Sequence, residues 1–262
     1  MRLVIFGLGY TTTRMVARLG ASVEVVAITR TSGPNSVAFD NPDTAAAIVR
    51  ATHILSSVPP AGGIDPVLAR YGALLADAPA RWLGYLSSTG VYGDASGAWV
   101  DEASPVGGGR RSARVAADAA WLGLRDDVRV FRLPGIYGPG RSAIDRVRDG
   151  AAHRIDVPGH RFSRIHVDDI GSAVIAAFTR GAPGVYNLAD AEPASGVAVI
   201  DYACALLGIR GPPLEPLATA ALSPAARGFY EESRLVSAAK FTREVGTPLA
   251  YPDFRAGLRA CL

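Results

Sequence analysis

The sequence predicts an α/β protein, a doubly wound parallel sheet with a smaller C-terminal lobe. Three observations carry that expectation. Six short apolar runs alternate with helix-like stretches through the first half of the chain, a glycine turn closes the first run, and proline and glycine become denser beyond Gly138.

The elements follow in order. Residues 3–6 (Leu3, Val4, Ile5, Phe6) read as strand one and 12–19 as the helix after it. Residues 23–28 form strand two, Ala38-Phe39 a short strand three, 44–50 a short helix, and 53–58 a fourth strand stopped by Pro59-Pro60. Val67, Leu68, Leu74 and Leu75 recur at helical spacing within 66–76. Residues 82–86 read as strand five, 113–124 as a helix and 128–133 as strand six. Further on, helices are expected at 168–179, 197–207 and 236–245, with another strand at 185–188. The second half reads as a lobe whose loops return over the C-terminal edge of the sheet, dividing the chain into a sheet domain at 1–165, joined by later returning segments, and mixed segments of the lobe at 166–262.

Composition narrows the function classes. The 262 residues, 49% hydrophobic and 19% charged, suffice for one large domain or one domain with a small lobe. No apolar run approaches the ~18 residues of a membrane span, and the N-terminus leads straight into strand one, so neither a membrane anchor nor a signal peptide is expected. Cys204 and Cys261 make neither a disulfide framework nor a metal knuckle, which fits a cytoplasmic protein. The net charge of +3 comes from scattered residues, with Arg110-Arg111 the one adjacent basic pair, so no nucleic-acid partner is expected. Of the 27 Lys and Arg residues only Lys240 is a lysine.

Gly7-Leu8-Gly9-Tyr10-Thr11-Thr12 follows strand one and opens a helix. The order suits a bound pyrophosphate: the first glycine permits a tight turn, the second lets phosphate approach the backbone, and the helix start supplies amide donors. Gly7, Gly9, Tyr10, Thr11 and Thr12 are therefore the candidate cradle of a dinucleotide, making 1–165 the dinucleotide-binding domain, with Thr12 standing where a smaller residue is usual. An ordinary strand–helix turn is the plainer alternative. Strand two ends in Ala27-Ile28-Thr29-Arg30, where an NAD site usually carries an acid for the ribose hydroxyls. Arg30, with Thr29 as a further donor, suits the 2′-phosphate of NADP, and NAD remains the alternative cofactor.

Three later stretches carry a resemblance. Tyr85-Leu86-Ser87-Ser88-Thr89-Gly90-Val91-Tyr92-Gly93, Phe131-Arg132-Leu133-Pro134-Gly135-Ile136-Tyr137-Gly138-Pro139-Gly140 and Arg164-Ile165-His166-Val167-Asp168-Asp169-Ile170 are similar to motifs of the extended short-chain dehydrogenase/reductase family, the epimerase and dehydratase relatives. With the glycine turn and Tyr186-Asn187-Leu188, the resemblance spans about residues 1–190. It implies a Rossmann sheet, a nicotinamide dinucleotide, a small-molecule substrate and a homodimer through the helices at 66–76 and 113–124. It also implies cofactor contacts from Ser56, Ser57 and Val58 at the end of strand four and from Leu133 and Pro134 near the nicotinamide.

Members of that family use a Ser or Thr, a Tyr and a Lys, the phenolate exchanging a proton with the substrate oxygen. The resemblance places Ser88 at the first position, Arg110 at the Tyr and Arg114 at the Lys. Arginine stays protonated and exchanges no proton, although Arg114 can still bind ribose. The count is decisive: Lys240 has Val236 four residues before it, so the chain contains no Tyr-x-x-x-Lys. Tyr92, Tyr137 and Tyr230 are candidate replacement phenols, with packing as their plainer role. Arg161, Arg164, Arg227 and Arg234 lie in the lobe expected to meet substrate, where one or two would hold an anionic group and most are surface or structural residues. His166 with Asp168 and Asp169 lacks a second histidine and reads as structural, the acids as a helix cap, so no metal is expected. Two functions stay open: an NADP-dependent reductase or epimerase-like enzyme with an altered proton relay, and a cofactor-holding scaffold or redox sensor.

Overall fold

A computed structural model of the chain describes residues 1–33 and 36–262. The first half alternates strand and helix: β1 (Arg2–Phe6), α1 (Tyr10–Val16), β2 (Glu24–Thr29), β3 (Ser36–Ala38), α2 (Pro42–Arg50), β4 (His53–Ser56), α3 (Pro66–Ala76) and β5 (Trp82–Ser88). There follow β6 (Trp99–Val100), α4 (Ser112–Leu122), β7 (Val128–Leu133), β8 (Gly135–Tyr137), α5 (Ala143–Arg148), β9 (Arg154–Asp156), β10 (Arg164–His166), α6 (Val167–Ala176) and β11 (Gly184–Asn187). The chain closes with α7 (Gly196–Leu207), β12 (Leu214–Pro216), α8 (Pro224–Arg227), β13 (Leu235–Val236), α9 (Ala239–Glu244) and α10 (Phe254–Arg259).

Seven parallel strands form the main sheet in the order β11-β7-β5-β4-β1-β2-β3. This is the doubly wound architecture the apolar runs predict. Strand β1 shows why both faces are covered. Leu3, Val4, Ile5 and Phe6 are all fully buried, and successive side chains point to opposite faces. Val4 and Phe6 pack with Ile48, Val67, Leu75 and Trp121 beneath α2, α3 and α4, whereas Leu3 and Ile5 pack with Met15, Ile170 and Val174 beneath α1 and α6. Each such side chain contributes roughly 1.5–3 kcal/mol by leaving water. The strand order reverses between β1 and β4, and that switch point opens a crevice at the C-terminal edge.

The lobe has its own core, in which Ile144 and Val147 of α5 meet Val199, Ile200 and Ala203 of α7 and Phe254 and Leu258 of α10. The chain crosses between sheet and lobe more than once. Helix α5 precedes residue 165 yet belongs to the lobe core, while α6 and β11 follow it and belong to the sheet. Residues 236–245, expected as one helix, are divided. Leu235 and Val236 pair with Trp99 and Val100, and the helix begins only at Ala239. The amide of Val236 donates to Ser163 Oγ at 2.9 Å and that of Ser237 to Val100 O at 2.9 Å, so distant partners claim donors that a helix would have used internally. Strand β5 runs two residues past its expected end because Ser87 and Ser88 pair with Arg132 and Leu133.

A buried ion pair ties α4 to the sheet. Arg132 donates to the Asp118 carboxylate from Nε (3.1 Å) and Nη2 (2.7 Å), and Ser87 Oγ donates to the same group at 2.6 Å. The remaining Nη1 donates to the Tyr92 hydroxyl at 3.0 Å, which donates in turn to Asn187 Oδ1 at 2.8 Å. Both charges are buried, so removing one leaves the other unpaired in a low dielectric. Asp118→Ala is expected to lower stability by about 3–5 kcal/mol, and Asp118→Leu/Arg132→Met to recover most of that loss in urea unfolding. Equal destabilisation by the single and double changes would contradict this account.

His53 on β4 is buried against Trp82 and Phe178, with ring centroids 6.1 and 5.0 Å away. Burial, reinforced by the positive charge of Arg81, pulls its pKa down to about 4. The unfolded value, near 6.5, lies above this, so between those values the unfolded chain binds the proton that the folded chain refuses. Stability should therefore fall as pH drops from about 6.5 to about 4. His53→Phe should make that part of a Tm-against-pH curve shallower, with the buried His166, also pulled down to about 4, accounting for part of the slope that stays.

No helix among the described residues is long and apolar enough to cross a membrane.

Candidate functional site

The glycine turn sits at the crevice between β1 and β4. Gly7 has φ +86°, in the left-handed region, and a Cβ there would lie 2.8 Å from Ser57 Oγ. Its backbone is locked on both sides: its amide donates to Ile28 O at 2.9 Å, and Ser57 Oγ donates to its carbonyl at 2.8 Å. Thr12 explains why a residue larger than glycine or alanine is accepted at the third position. Fully buried, its Oγ1 donates to Gly7 O at 2.7 Å and accepts from Gly9 N–H at 3.0 Å, so the side chain forms part of the turn. Gly9 differs. Its backbone is extended and a Cβ would meet no protein atom within 4 Å, because the residue faces open space.

That space is a continuous cleft of about 1170 Å³. It begins at Gly9, Tyr10, Thr11 and Thr12, passes Ser57 and Pro59, then Ser88, Arg114, Leu133 and Pro134, and ends between α5, α7, α10 and the segment around Tyr230. The register explains the convergence, since Phe6 aligns with Ser56 and Ser88 with Leu133 along the same edge. Tyr10 is held over the cleft by donating its hydroxyl to Pro139 O at 3.1 Å.

The other residues singled out from the sequence divide clearly. Ser57 lines the cleft, whereas the Ser56 hydroxyl is buried behind it without a partner among the described residues and Val58 packs into the sheet core. Thr29 Oγ1 donates to Thr31 O at 2.7 Å, and Arg30 is exposed at the end of β2 without a described ion pair. Neither lines the cleft itself. Ser88 Oγ accepts from Gly90 N–H at 3.1 Å, capping the turn Thr89–Tyr92 and leaving its own proton free. Arg114 stands beside Tyr85, whose buried hydroxyl is pushed up to about 12 by desolvation, an effect that Arg114 opposes. Arg110 precedes α4 and lies against Glu231 and Glu232, at 3.8 and 3.5 Å.

The phenols separate as well. Tyr92 does not reach the cleft: it is buried, with its hydroxyl between Arg132 and Asn187, which removes it as a replacement acid. Tyr137 and Tyr230 do line the cleft. Tyr137 donates to Asp253 O at 3.4 Å, and burial raises its pKa well above the ordinary phenol value. Arg227 is spent on Leu217 O and Ala220 O, and Arg234 on Gly93 O and Glu232.

The acids after His166 are not the helix cap. His166 Nδ1 caps α6 by accepting from Asp168 N–H at 3.2 Å, freeing Asp168 to pair with Arg14 (2.7 Å) and Asp169 to accept from the amides of Ala250 and Tyr251. Sequence reasoning missed Arg146, which lines the cleft from α5. Its neighbours Ser142 and Asp145 form a capping box that signals a helix start, but no local pattern says which face of that short helix looks into the cleft.

No family model and no curated protein sequence matches the chain. Among solved structures, a functionally unknown conserved protein from Silicibacter pomeroyi is 38% identical with a TM-score of 0.87, the match covering 99% of this chain and 97% of that one. The human epimerase family protein SDR39U1, solved with NADPH, is 20% identical with a TM-score of 0.80 over 99% and 98% of the two chains. UDP-glucuronic acid 4-epimerase from Bacillus cereus, solved with NAD, is 14% identical with a TM-score of 0.80 over 99% and 97%.

The two glycines of the turn should respond differently to alanine. Gly7→Ala meets both a left-handed backbone and the Ser57 hydroxyl, and is expected to lower stability by about 1–3 kcal/mol. Gly9→Ala should leave thermal unfolding unchanged, and equal losses at the two positions would sink this reading of the turn.

Proposed function

The chain belongs to the same family as the conserved Silicibacter pomeroyi protein, and from that membership and the cleft we propose that it is an NADP-dependent oxidoreductase acting on a small carbonyl or hydroxyl compound. One observation carries the reading. A single cleft joins a glycine turn at the switch point of the sheet to Ser88, Leu133 and Pro134 and then to a separate lobe.

The residues at the turn fit a dinucleotide. A Cβ at Gly9 would stand in the cleft where a pyrophosphate must approach, and Thr12 and Ser57 hold the turn in place. Arg30 supports NADP over NAD, being exposed just beyond β2 at the position where the strand would otherwise carry an acid for a ribose hydroxyl. That NADPH and NAD accompany two of the structural relatives is consistent with either nicotinamide cofactor. When bound, the nicotinamide supplies or takes up a hydride at the substrate carbon while a proton moves at the substrate oxygen.

The chain's own residues assign the proton's partners. Ser88 Oγ is oriented by the Gly90 amide, so its O–H is available to the substrate oxygen. Tyr137, kept protonated by burial and donating its hydroxyl to Asp253 O, shapes the cleft and supplies no base. Arg114 remains a cation and contributes charge at the ribose side of the cleft. Proton exchange then runs through Ser88 to water, without a phenolate.

The second reading, a cofactor-holding scaffold, is favoured by one observation: neither Arg110 nor Arg114, at the positions of Tyr and Lys, exchanges a proton. Titration calorimetry and NADPH oxidation against a panel of carbonyl compounds separate the two. NADPH is expected to bind at least about tenfold more tightly than NADH, the preference disappearing in Arg30→Ala. Ser88→Ala should lower kcat by about a hundredfold, and the rate should show no phenol ionisation between about pH 7 and 10. Bound NADPH that no carbonyl oxidises would favour the scaffold.

A further inference from the structure

The lining of the cleft carries eight arginines against three carboxylates, Asp145, Asp149 and Glu232. Of these arginines only Arg110 and Arg234 make ion pairs among the described residues. Two of the remaining six, Arg146 and Arg164, are carried into the lobe end by α5 and β10. Arg164 on β10 is held at one end only. Its Nη2 donates to Ala194 O at 3.1 Å, while Nη1 is closed off from solvent and has no partner among the described residues. Arg146 on α5 extends into the same space and makes no side-chain hydrogen bond or ion pair among the described residues. Burial pulls the Arg164 pKa down, Asp190 and Tyr137 oppose the fall, and Arg146 adds to it, so the two cations sense one another.

The nearby acids act on Arg164 from a distance, but none makes an ion pair with it among the described residues. Asp190 stays beyond ion-pair distance of Arg164, and burial pushes its own carboxyl up to about 7. Glu192 is taken by Arg255 at 2.6 Å, and Asp145 by Ser142 at 2.6 Å. A guanidinium enclosed without a counter-charge is destabilising unless a ligand completes it, and two guanidiniums facing one space suit an oxyanion through charge-assisted hydrogen bonds.

We propose that Arg146 and Arg164 seat an anionic group of the substrate, a carboxylate or a phosphate ester, at the lobe end of the cleft. The proposal rests on the reading of this cleft as a cofactor-and-substrate site and names the substrate class. The β8–β10 ladder sets the scale. Arg164 is in register with Gly135, the residue after Pro134 at the sheet edge. The anion seat is therefore one strand away from the segment assigned to the nicotinamide, and the substrate is a compact anion whose reacting carbon lies a few bonds from its charge. Tyr230, lining the same end, offers its hydroxyl as an additional donor.

The test is calorimetric titration of the full chain with inorganic phosphate and with malonate, in the presence and absence of saturating NADP. NADP occupies the phosphate-binding half of the cleft, so the binding that survives it reports the lobe end. Arg146→Met and Arg164→Met are each expected to weaken that surviving binding by at least about tenfold while leaving NADP affinity unchanged. Arg146 is water-accessible, so Arg146→Met decides the matter even if Arg164→Met fails to fold. Preferential loss for phosphate or for malonate tells a phosphate ester from a carboxylate substrate. Oxyanion binding that is undetectable at concentrations on the order of 10 mM, abolished by NADP, or unaltered in Arg146→Met overturns the proposal. A chain that takes up no NADP, yet loses oxyanion binding in Arg146→Met, upholds the anion seat and overturns the cofactor reading instead.

Discussion

The Arg132–Asp118 pair is the constraint on which the C-terminal edge of the sheet depends. It joins α4 to β7, takes in Ser87 of β5, and reaches β11 through Tyr92 and Asn187. Enclosed charges of this kind are stable only when every donor and acceptor is engaged, and here both Asp118 oxygens and all three guanidinium nitrogens are. The consequence is positional. Ser88 and Leu133 are the next residues along the two tied strands, so the rim of the cleft inherits the fixed geometry of the network. Tyr92 is spent on structure for the same reason, and a phenol that would otherwise suit proton transfer is withheld from the cleft.

At the other end of the cleft the turn after β1 is held by side chains that the doubly wound topology brings to it. Ser57 arrives from β4 and Thr12 from α1, and both donate to the Gly7 carbonyl. The turn is thus rigid where it meets the protein and bare at Gly9, where it faces the cleft. A surface with this contrast receives a ligand without having to order itself first, which lowers the entropy lost on binding.

Between those ends the cleft is a cationic environment. Arg110 and Arg114 line it beside the sheet edge, and the lobe adds Arg146 and Arg164. Guanidiniums hold anions and orient them but do not exchange protons at accessible pH. In the proposed reaction the protons would come from hydroxyls and water, while the guanidiniums would recognise charge.

By itself the sequence determined what is local. Apolar runs of strand length announced a parallel sheet covered on both faces, because a strand buried on both sides has no polar face to show. The glycine turn was legible because a left-handed backbone at Gly7 demands glycine, and the lack of any Tyr-x-x-x-Lys was legible because Lys240, the one lysine, follows Val236 at that spacing. What only the tertiary structure decided is direction and partnership over long separations. Tyr92 belongs to a motif at the sheet edge, yet its hydroxyl meets Asn187, 95 residues away, and so turns inward. The pairing of β6 with β13 joins strands two residues long across more than a hundred residues, too short to leave a periodic trace. Arg146 and Arg164 come from different elements and face one space because α5 packs on α7 while β10 pairs with β8 at the edge of the same cleft. Backbone preference is set within a few residues and can be read from them. Which side chain faces the cleft is set by what packs behind it, and that information is spread along the whole chain.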